Sequence, residues 1–177
     1  MKNIIFLIGS PRKNGNTAIM CDLLLNKLSQ GTVKFQLVNL NTLNFSGCTD
    51  CRACKTGDLK CTLNDDLRNY YPAIEAADLL VFGTPIYWYG PTAQMKALMD
   101  RLRPYYGNKL LKGKKAVVLL PAGVGSSDCD LTTEQFKRMS KALGIDIIKT
   151  ITAKAYDIGE VLNDKAALEE IESLELL

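Results

Sequence analysis

The chain has no histidine among its 177 residues. This absence excludes an imidazole base, a Ser-His-Asp triad and any metal site that needs a histidine ligand. The net charge of +3 is small, and no basic run with interleaved aromatic residues occurs. Nucleic acid is therefore not an expected partner.

Long hydrophobic runs are missing as well. The apolar run Ile4 to Ile8 is too short for the core of a signal peptide and stops at 9–11, so we expect neither secretion nor a membrane span. The length fits one domain, and we expect 1–177 to form it. In the cytoplasm thiols stay reduced, and clustered cysteines there bind metal or do redox work more often than they form disulfides. We therefore expect a cytoplasmic protein.

Strands alternate with helices along the whole sequence. This pattern predicts an α/β fold, a flavodoxin-like doubly wound five-stranded parallel sheet of order 2-1-3-4-5 with helices on both faces. A helix cap is expected at Asn163. The expected strands are 3–8, 33–40, 78–83, 115–120 and 145–151, and the expected helices are 17–28, 66–76, 92–102, 132–143 and 164–174.

The loop after the first strand, GSPRKNGNT at 9–17, has the composition of a phosphate site. In such a sheet the ligand lies at the carboxyl ends of strands one and three, where the strand order reverses. Hydroxyl, amide and guanidinium groups of the loop, with the first N–H groups of the helix, can surround a phosphate. The string is neither a dinucleotide fingerprint nor a triphosphate loop, so a mononucleotide is expected. The expected contacts are Ser10, Arg12, Asn14, Gly15, Asn16 and Thr17.

Two further loops at this edge of the sheet are unusual. Residues 83–92 include three consecutive aromatic side chains, which suit a planar ring, and the amides of 84–86 can meet the polar edge of a flavin. In 121–128, Gly123 and Gly125 allow the backbone to approach the edge of the ring. A core or subunit-contact role is the alternative for the aromatic residues. The expected ring contacts are Thr84, Pro85, Ile86, Tyr87, Trp88, Tyr89 and Gly123.

Four cysteines lie within fourteen residues, in a loop insertion at about 46–62 that we name the cysteine segment. The first three have C-x2-C-x2-C spacing and can converge from a tight turn, while the fourth can fold back to complete a four-thiolate site. An iron-sulfur cluster, a zinc site and an empty or redox-active thiol loop all remain open. The four residues are Cys48, Cys51, Cys54 and Cys61. Outside the segment, Cys21 is expected in the core, and Cys129 has no assigned role.

The strings GSPRKNGNT and GTPIYWYGPTAQMKALMDR resemble the flavin-binding signatures of the NADPH-dependent FMN reductase superfamily, and GCTDCRACKTGDLKC resembles its iron-sulfur flavoprotein branch. The resemblance is strong to about Arg101 and weak beyond it. It implies FMN held by the three loops, reduction by NAD(P)H or ferredoxin, and a homodimer or homotetramer. It also implies a four-iron (4Fe-4S) cluster on the four cysteines, often near the flavin of a neighbouring subunit. The ferredoxin pattern C-x2-C-x2-C-x3-C-P is not met, because Thr62 follows Cys61.

The expected activity is that of an NAD(P)H-dependent FMN oxidoreductase that passes electrons to a small-molecule or protein acceptor. FMN accepts hydride itself, so no catalytic side chain is required. The alternatives are a cluster-free NAD(P)H:flavin or quinone reductase and a non-enzymatic flavodoxin-like electron carrier. We also expect the segment after strand three to form a subunit interface. The expected interface residues are Trp88, Tyr89, Met95, Leu98 and Met99.

Overall fold

A computed structural model describes residues 2–29 and 33–175. Its strands are β1 (Lys2–Ile8), β2 (Val33–Asn39), β3 (Leu79–Gly83), β4 (Ile86–Tyr87), β5 (Gly90–Pro91), β6 (Lys115–Ala122) and β7 (Asp146–Lys154). Its α-helices are α1 (Asn16–Leu28), α2 (Tyr71–Ala76), α3 (Ala93–Arg101), α4 (Pro104–Asn108), α5 (Asp130–Leu143) and α6 (Lys165–Glu172).

The five long strands form one sheet in the order β2-β1-β3-β6-β7, and every neighbouring pair is parallel. This is the predicted order 2-1-3-4-5, so the expected fold class is confirmed. β1 lies inside the sheet between β2 and β3, and its residues from Ile4 to Ile8 are all buried. A strand covered on both faces needs such a continuous apolar run.

Alternate residues of β1 serve two separate cores. Ile5 and Leu7 pack with the apolar residues of α3 and α5 on one face of the sheet. Ile4 and Phe6 pack with those of α1 and α6 on the other face. Because successive side chains of a strand point to opposite faces, one apolar run supports helices on both sides. The expected covering of both faces is thus present.

Several predicted boundaries are wrong. The helix expected at 66–76 is a 3-10 turn, Asp66–Tyr70, followed by the short α2. Pro72 lacks the N–H that an α-helix would use at that point. The cap of α6 is Asp164 rather than Asn163, since the Asp164 carboxylate accepts from the Ala167 N–H at 3.1 Å. Neither α4 nor the β4–β5 hairpin was predicted. In the described ranges, no helix is long and apolar enough to cross a membrane.

Candidate flavin and cysteine sites

The loop between β1 and α1 forms a cradle at the first turn of the helix. Gly15 is the N-cap of α1 and has no side chain with which to cap it. The first N–H groups of the helix therefore point toward the loop without a side-chain acceptor from that residue. The Thr17 hydroxyl is buried there, with no hydrogen-bond partner within 2–29 and 33–175. A phosphate would satisfy both kinds of donor, so these residues fit the phosphate of FMN.

The remaining residues of the cradle set its shape and its mouth. The buried Ser10 hydroxyl accepts a hydrogen bond from the Arg12 N–H at 3.3 Å and donates one to the Arg12 carbonyl at 3.4 Å. A Cβ on Gly15 would lie 2.9 Å from the Arg12 Cβ, so glycine permits this tight fold. The side chains of Arg12 and Asn14 are exposed at the mouth of the cradle. Their contact with a phosphate stays a prediction.

Asn16 uses its side chain for a purpose that the sequence did not predict. Its amide donates to the Asp157 carbonyl at 2.8 Å and accepts from the Gly159 N–H at 2.9 Å. The side chain thereby fastens the loop after β7 to the phosphate cradle. What Asn16 can offer a phosphate is its backbone N–H.

The Gly9 carbonyl joins the loops that follow three different strands. It accepts from the Thr92 hydroxyl at 2.8 Å and from the Asn41 amide at 3.0 Å. The Gly9 N–H donates to the Gly83 carbonyl at 2.8 Å. The loops after β1, β2 and β3 therefore meet at one residue, at the carboxyl edge where a ligand is expected.

The second predicted loop is the β4–β5 hairpin. Trp88 and Tyr89 occupy its two central positions, with φ of 50° and 63°. A two-residue turn with both φ values positive favours Asn-Gly, so bulky residues there are strained. Trp88 is 95% exposed, and Tyr87 and Tyr89 are about half exposed. The hairpin thus presents flat aromatic faces to solvent, as a ring site or a subunit contact requires.

Thr84, Pro85 and Ile86 shape the base of this hairpin. The buried Thr84 hydroxyl donates to the Pro85 carbonyl and accepts from the Thr92 N–H, both at 3.1 Å. Ile86 pairs with Pro91 in the hairpin ladder. The side chain of Thr84 is therefore occupied in closing the loop, while Pro85 and Ile86 are half-buried beneath the aromatic tip.

Gly123 lies against a residue that sequence reasoning missed. A Cβ on Gly123 would come within 2.9 Å of Cδ2 in the Tyr156 ring, which is itself 76% exposed. Tyr156 belongs to the same loop after β7 that Asn16 holds. Cys129 also acquires a role, because its buried thiol contacts the carbonyls of Leu120 and Gly125 at 3.5 and 3.4 Å. Burial raises the pKa of Cys129 to about 11.

The four clustered cysteines all line one cavity of about 20 Å³. Asp50, Arg52, Gly57 and Leu59 have positive φ, which turns the chain tightly between the thiols. The Ala53 N–H and the Thr62 hydroxyl hold the pKa of Cys51 below its usual value. Yet in the described parts of the chain, no group of three or more Cys, His, Asp or Glu side chains is arranged to hold a metal ion. The donor set suits a cluster, whereas the cavity has room for about one water molecule.

Two arginines hold this segment, Arg101 at the end of α3 and Arg103 just before α4, and neither was predicted. The buried Arg101 forms a two-pronged ion pair with Asp65 and also donates to the Ser46 carbonyl. Arg103 pairs with Asp50. The sequence held a signal for the role of Arg101, because this residue lies on the apolar face of α3 together with Leu98. A charged side chain on a buried face needs a buried partner of opposite charge.

A larger cleft of about 890 Å³ lies beside the cysteine segment, not at the phosphate cradle. Cys48 and Cys54 form part of its wall, and its charged lining residues are Lys55, Asp100 and Arg103. Its volume is typical of small-molecule sites. The apolar lining consists of Leu59, Met99, Leu102, Tyr106, Met139, Ala142 and Leu143.

A sequence model of the family described as NADPH-dependent FMN reductase matches residues 2–154. The chain belongs to this family. The match includes the phosphate cradle, the aromatic hairpin, the cysteine segment and both arginines, and it ends at the last residue of β7. The resemblance expected from the sequence strings is therefore confirmed.

Among curated proteins, an iron-sulfur flavoprotein of Archaeoglobus fulgidus is 32% identical over 140 residues, which cover 78% of this chain and 62% of that protein. An iron-sulfur flavoprotein of Methanocaldococcus jannaschii is 34% identical over 101 residues, covering 57% of this chain and 52% of its own length. An FMN-dependent NADH:quinone oxidoreductase of Burkholderia lata is 31% identical over 124 residues, covering 60% and 58%. The alignments thus span about half to three-fifths of these relatives.

Solved structures show the same fold at low sequence identity. An azoreductase of Bacillus anthracis aligns with a TM-score of 0.75 and 16% identity, covering 97% of each chain. The Trp repressor binding protein of Bacillus subtilis aligns with a TM-score of 0.71 and 20% identity, covering 99% of this chain and 100% of the other. These likenesses support the flavodoxin-like architecture and nothing finer.

Proposed function

We propose that the protein is an FMN-binding, NAD(P)H-dependent oxidoreductase of the iron-sulfur flavoprotein type. It would take electrons from a nicotinamide or ferredoxin and deliver them to a small-molecule or protein acceptor. The observation that carries the proposal is the buried Thr17 hydroxyl, which has no partner in the part of the chain that the structure describes, beside the start of α1, where Gly15 gives no side-chain cap. Family membership makes FMN the mononucleotide that this cradle would take.

Each part of the site has a separate task in this proposal. The cradle binds the terminal phosphate through the first N–H groups of α1, the hydroxyl of Thr17 and the charge of Arg12. The aromatic hairpin and the Gly123 loop orient the ring and keep water from its face. When bound, FMN supplies hydride transfer and one-electron chemistry, so the protein needs no acid or base of its own. The absence of histidine from the chain is compatible with a site in which the cofactor supplies the redox chemistry and no imidazole is needed.

The test is direct. Purified protein should release FMN rather than FAD, as measured by mass spectrometry, because the cradle suits a terminal phosphate and the sequence marks no adenosine pocket. It should also oxidise NADH or NADPH in steady state with a quinone or flavin acceptor. Release of FAD, or no flavin affinity after reconstitution, would overturn the flavin assignment. FMN binding without NAD(P)H oxidation would leave the electron carrier as the function.

For the cysteine segment we propose a 4Fe-4S cluster bound by Cys48, Cys51, Cys54 and Cys61. Two observations support it: all four thiols line one cavity, and relatives carry the name iron-sulfur flavoprotein. Because the cavity is small, the segment must open to admit a cluster. Anaerobic reconstitution should give about four iron and four sulfide per chain. Preferential uptake of zinc, or no iron, would favour the cluster-free NAD(P)H:flavin or quinone reductase. The Burkholderia lata relative carries the name FMN-dependent NADH:quinone oxidoreductase.

We also propose that the chain works as a homodimer or homotetramer. Nine residues of α3 separate the flavin loops from the cysteine segment, a length of about 14 Å. A second copy could bring its own flavin closer to these thiols. The expected interface needs correction, because Met95, Leu98 and Met99 are buried in the protomer's own core. Only Trp88 and Tyr89 of that set are exposed.

We further propose that 1–177 acts as one FMN-binding domain with the cysteine segment as an insertion. All six cysteines are free of disulfides. Free thiols of this number are usual in the reducing cytoplasm, and we place the protein there.

A further inference from the structure

The cysteine segment is held at both ends by Arg101. The side chain of Arg101 is inaccessible to solvent. Its Nη1 donates to the Ser46 carbonyl at 2.9 Å and to Asp65 Oδ2 at 2.5 Å, and its Nη2 donates to Asp65 Oδ1 at 3.0 Å. Ser46 begins the segment and Asp65 follows it by three residues. One guanidinium therefore joins the chain before the first cysteine to the chain after the last.

The backbone carbonyl of Arg101 is linked to Cys61, the fourth cysteine, through the side chain of Tyr71. The Tyr71 hydroxyl donates to the Arg101 carbonyl at 3.3 Å and also contacts the Cys61 thiol. Thus the position of Arg101 on α3 fixes Ser46, Asp65 and the neighbourhood of Cys61 together.

Arg103 acts beside Cys48, the first of the four cysteines. Its Nη1 donates to Asp50 Oδ1 at 2.6 Å and lies 4.0 Å from Cys48 Sγ. Arg103 is half exposed, so the protein does not need it to fill the core. The guanidinium therefore places a fixed positive charge next to the position that a Cys48 thiolate ligand would occupy.

We propose that Arg101 and Arg103 are the positioning residues of the cysteine segment: Arg101 closes it, and Arg103 holds its Cys48 side and sets the charge felt by a bound cluster. The charge part rests on the iron-sulfur site proposed above, whereas the closure part does not. Positive charge close to a cluster stabilises the reduced, more negative state and so raises the midpoint potential.

Closure is tested on the FMN-loaded full chain before iron is added. Asp65→Asn keeps the volume of the side chain, and Arg101→Lys keeps the charge but cannot make the two-pronged contact. We expect hydrogen exchange of the amides in 46–65 to rise at least about tenfold in both variants, since charged hydrogen bonds are lost. Exchange in β1 and β3 should stay at the wild-type level. Unchanged exchange in 46–65 would overturn the closure role.

The charge role is tested on reconstituted protein by anaerobic titration with dithionite. Arg103→Gln and Asp50→Asn break the same contact but remove opposite charges. We expect the cluster potential to fall in Arg103→Gln, to rise in Asp50→Asn and to stay near wild type in Arg103→Lys. The control Arg138→Gln removes an equal charge from a surface pair on α5 and should leave the potential unchanged.

These outcomes separate the two proposals. Shifts of the same sign in Arg103→Gln and Asp50→Asn, or no shift, would overturn the charge role and leave Arg103 as a purely structural contact. If wild-type protein takes up no iron, the cluster part of the proposed function fails and the charge role fails with it. The exchange measurement still decides the closure role, because it needs no metal.

Discussion

The Thr92 hydroxyl donates to the Gly9 carbonyl at 2.8 Å, and a Cβ on Gly9 would lie 2.8 Å from the Thr92 hydroxyl oxygen. The contact joins the end of β1 to the cap of α3, and Thr92 is buried. The phosphate cradle and the aromatic hairpin are therefore fixed to each other before any ligand binds. Such preorganisation lowers the cost of ordering the site on binding.

We expect Gly9→Ala to lower the free energy of unfolding by about 1–3 kcal/mol, because the new methyl group would also meet the Met95 Cβ at 2.9 Å. Urea denaturation checks this value. The control is Gly47→Ala, where the nearest contact is the Ala97 Cβ at 4.0 Å, and it should be near neutral. Equal stability of the two variants would show that the cradle and α3 can move apart.

Replacement of Thr17 should have opposite effects on the free and bound protein. Thr17→Val removes a buried hydroxyl that has no partner among the described residues, so the free energy of unfolding of flavin-free protein should stay equal or rise. FMN binding should weaken by about 1–3 kcal/mol, because a donor to the phosphate is lost. Fluorescence titration of flavin measures the dissociation constant.

The control for Thr17→Val is Ser140→Ala. Ser140 on α5 also has a buried hydroxyl with no partner in the described chain. Its removal should affect stability similarly and leave FMN affinity unchanged. If Thr17→Val binds FMN as wild type does, the phosphate does not lie in this cradle. Arg12→Ala, tested alongside, should also weaken binding by about 1–3 kcal/mol.

The sequence was sufficient for the parts of the protein that depend on local patterns. The buried run of β1 is contiguous, so its place inside the sheet could be predicted from the sequence. The Gly9–Thr17 loop is contiguous as well, and its phosphate role stays a prediction. Contacts between distant residues could not. The side chain of Asn16 was expected to bind phosphate, but it donates to the carbonyl of Asp157, which is 141 residues away, and only the backbone N–H of Asn16 is left for a phosphate. The β4–β5 turn was missed because Trp88-Tyr89 lacks the Asn-Gly signal of such turns.

Replacing Cys51 by serine should abolish iron binding and leave FMN in place, since the flavin loops are formed by other segments. Iron and sulfide assays after anaerobic reconstitution test this, with flavin absorbance measured on the same sample. The control is Cys129→Ser, where the hydroxyl can keep the contacts to Leu120 and Gly125 and iron should be retained. Full iron content in Cys51→Ser would exclude that thiol as a ligand.

The loop after β7 should loosen at acid pH. The Glu160 carboxylate accepts from the N–H groups of Tyr156 at 2.7 Å and Asp157 at 3.0 Å, which lowers its pKa from 4.5. A lowered carboxyl pKa gives stability that is present above pH 4.5 and lost as the pH falls through the folded value.

Glu160→Gln should therefore destabilise the protein at pH 7 and lose this disadvantage progressively below about pH 4.5. Urea unfolding of both proteins at several pH values gives the difference. A stability difference that is constant from pH 7 to pH 3 would mean that the carboxylate charge does not hold the loop.

The aromatic hairpin offers the last test, because its strain and its proposed subunit contact predict opposite effects. Trp88 and Tyr89 both have positive φ, and Asn-Gly adopts this turn with much less strain. The double variant Trp88→Asn, Tyr89→Gly should therefore stabilise the separated protomer by about 1 kcal/mol or more. Its oligomer should dissociate at a higher protein concentration than the wild-type oligomer, as measured by light scattering, since exposed aromatic surface is lost. A wild-type protein that is already monomeric at micromolar concentration would contradict the interface, and the strained turn would then serve the flavin ring alone.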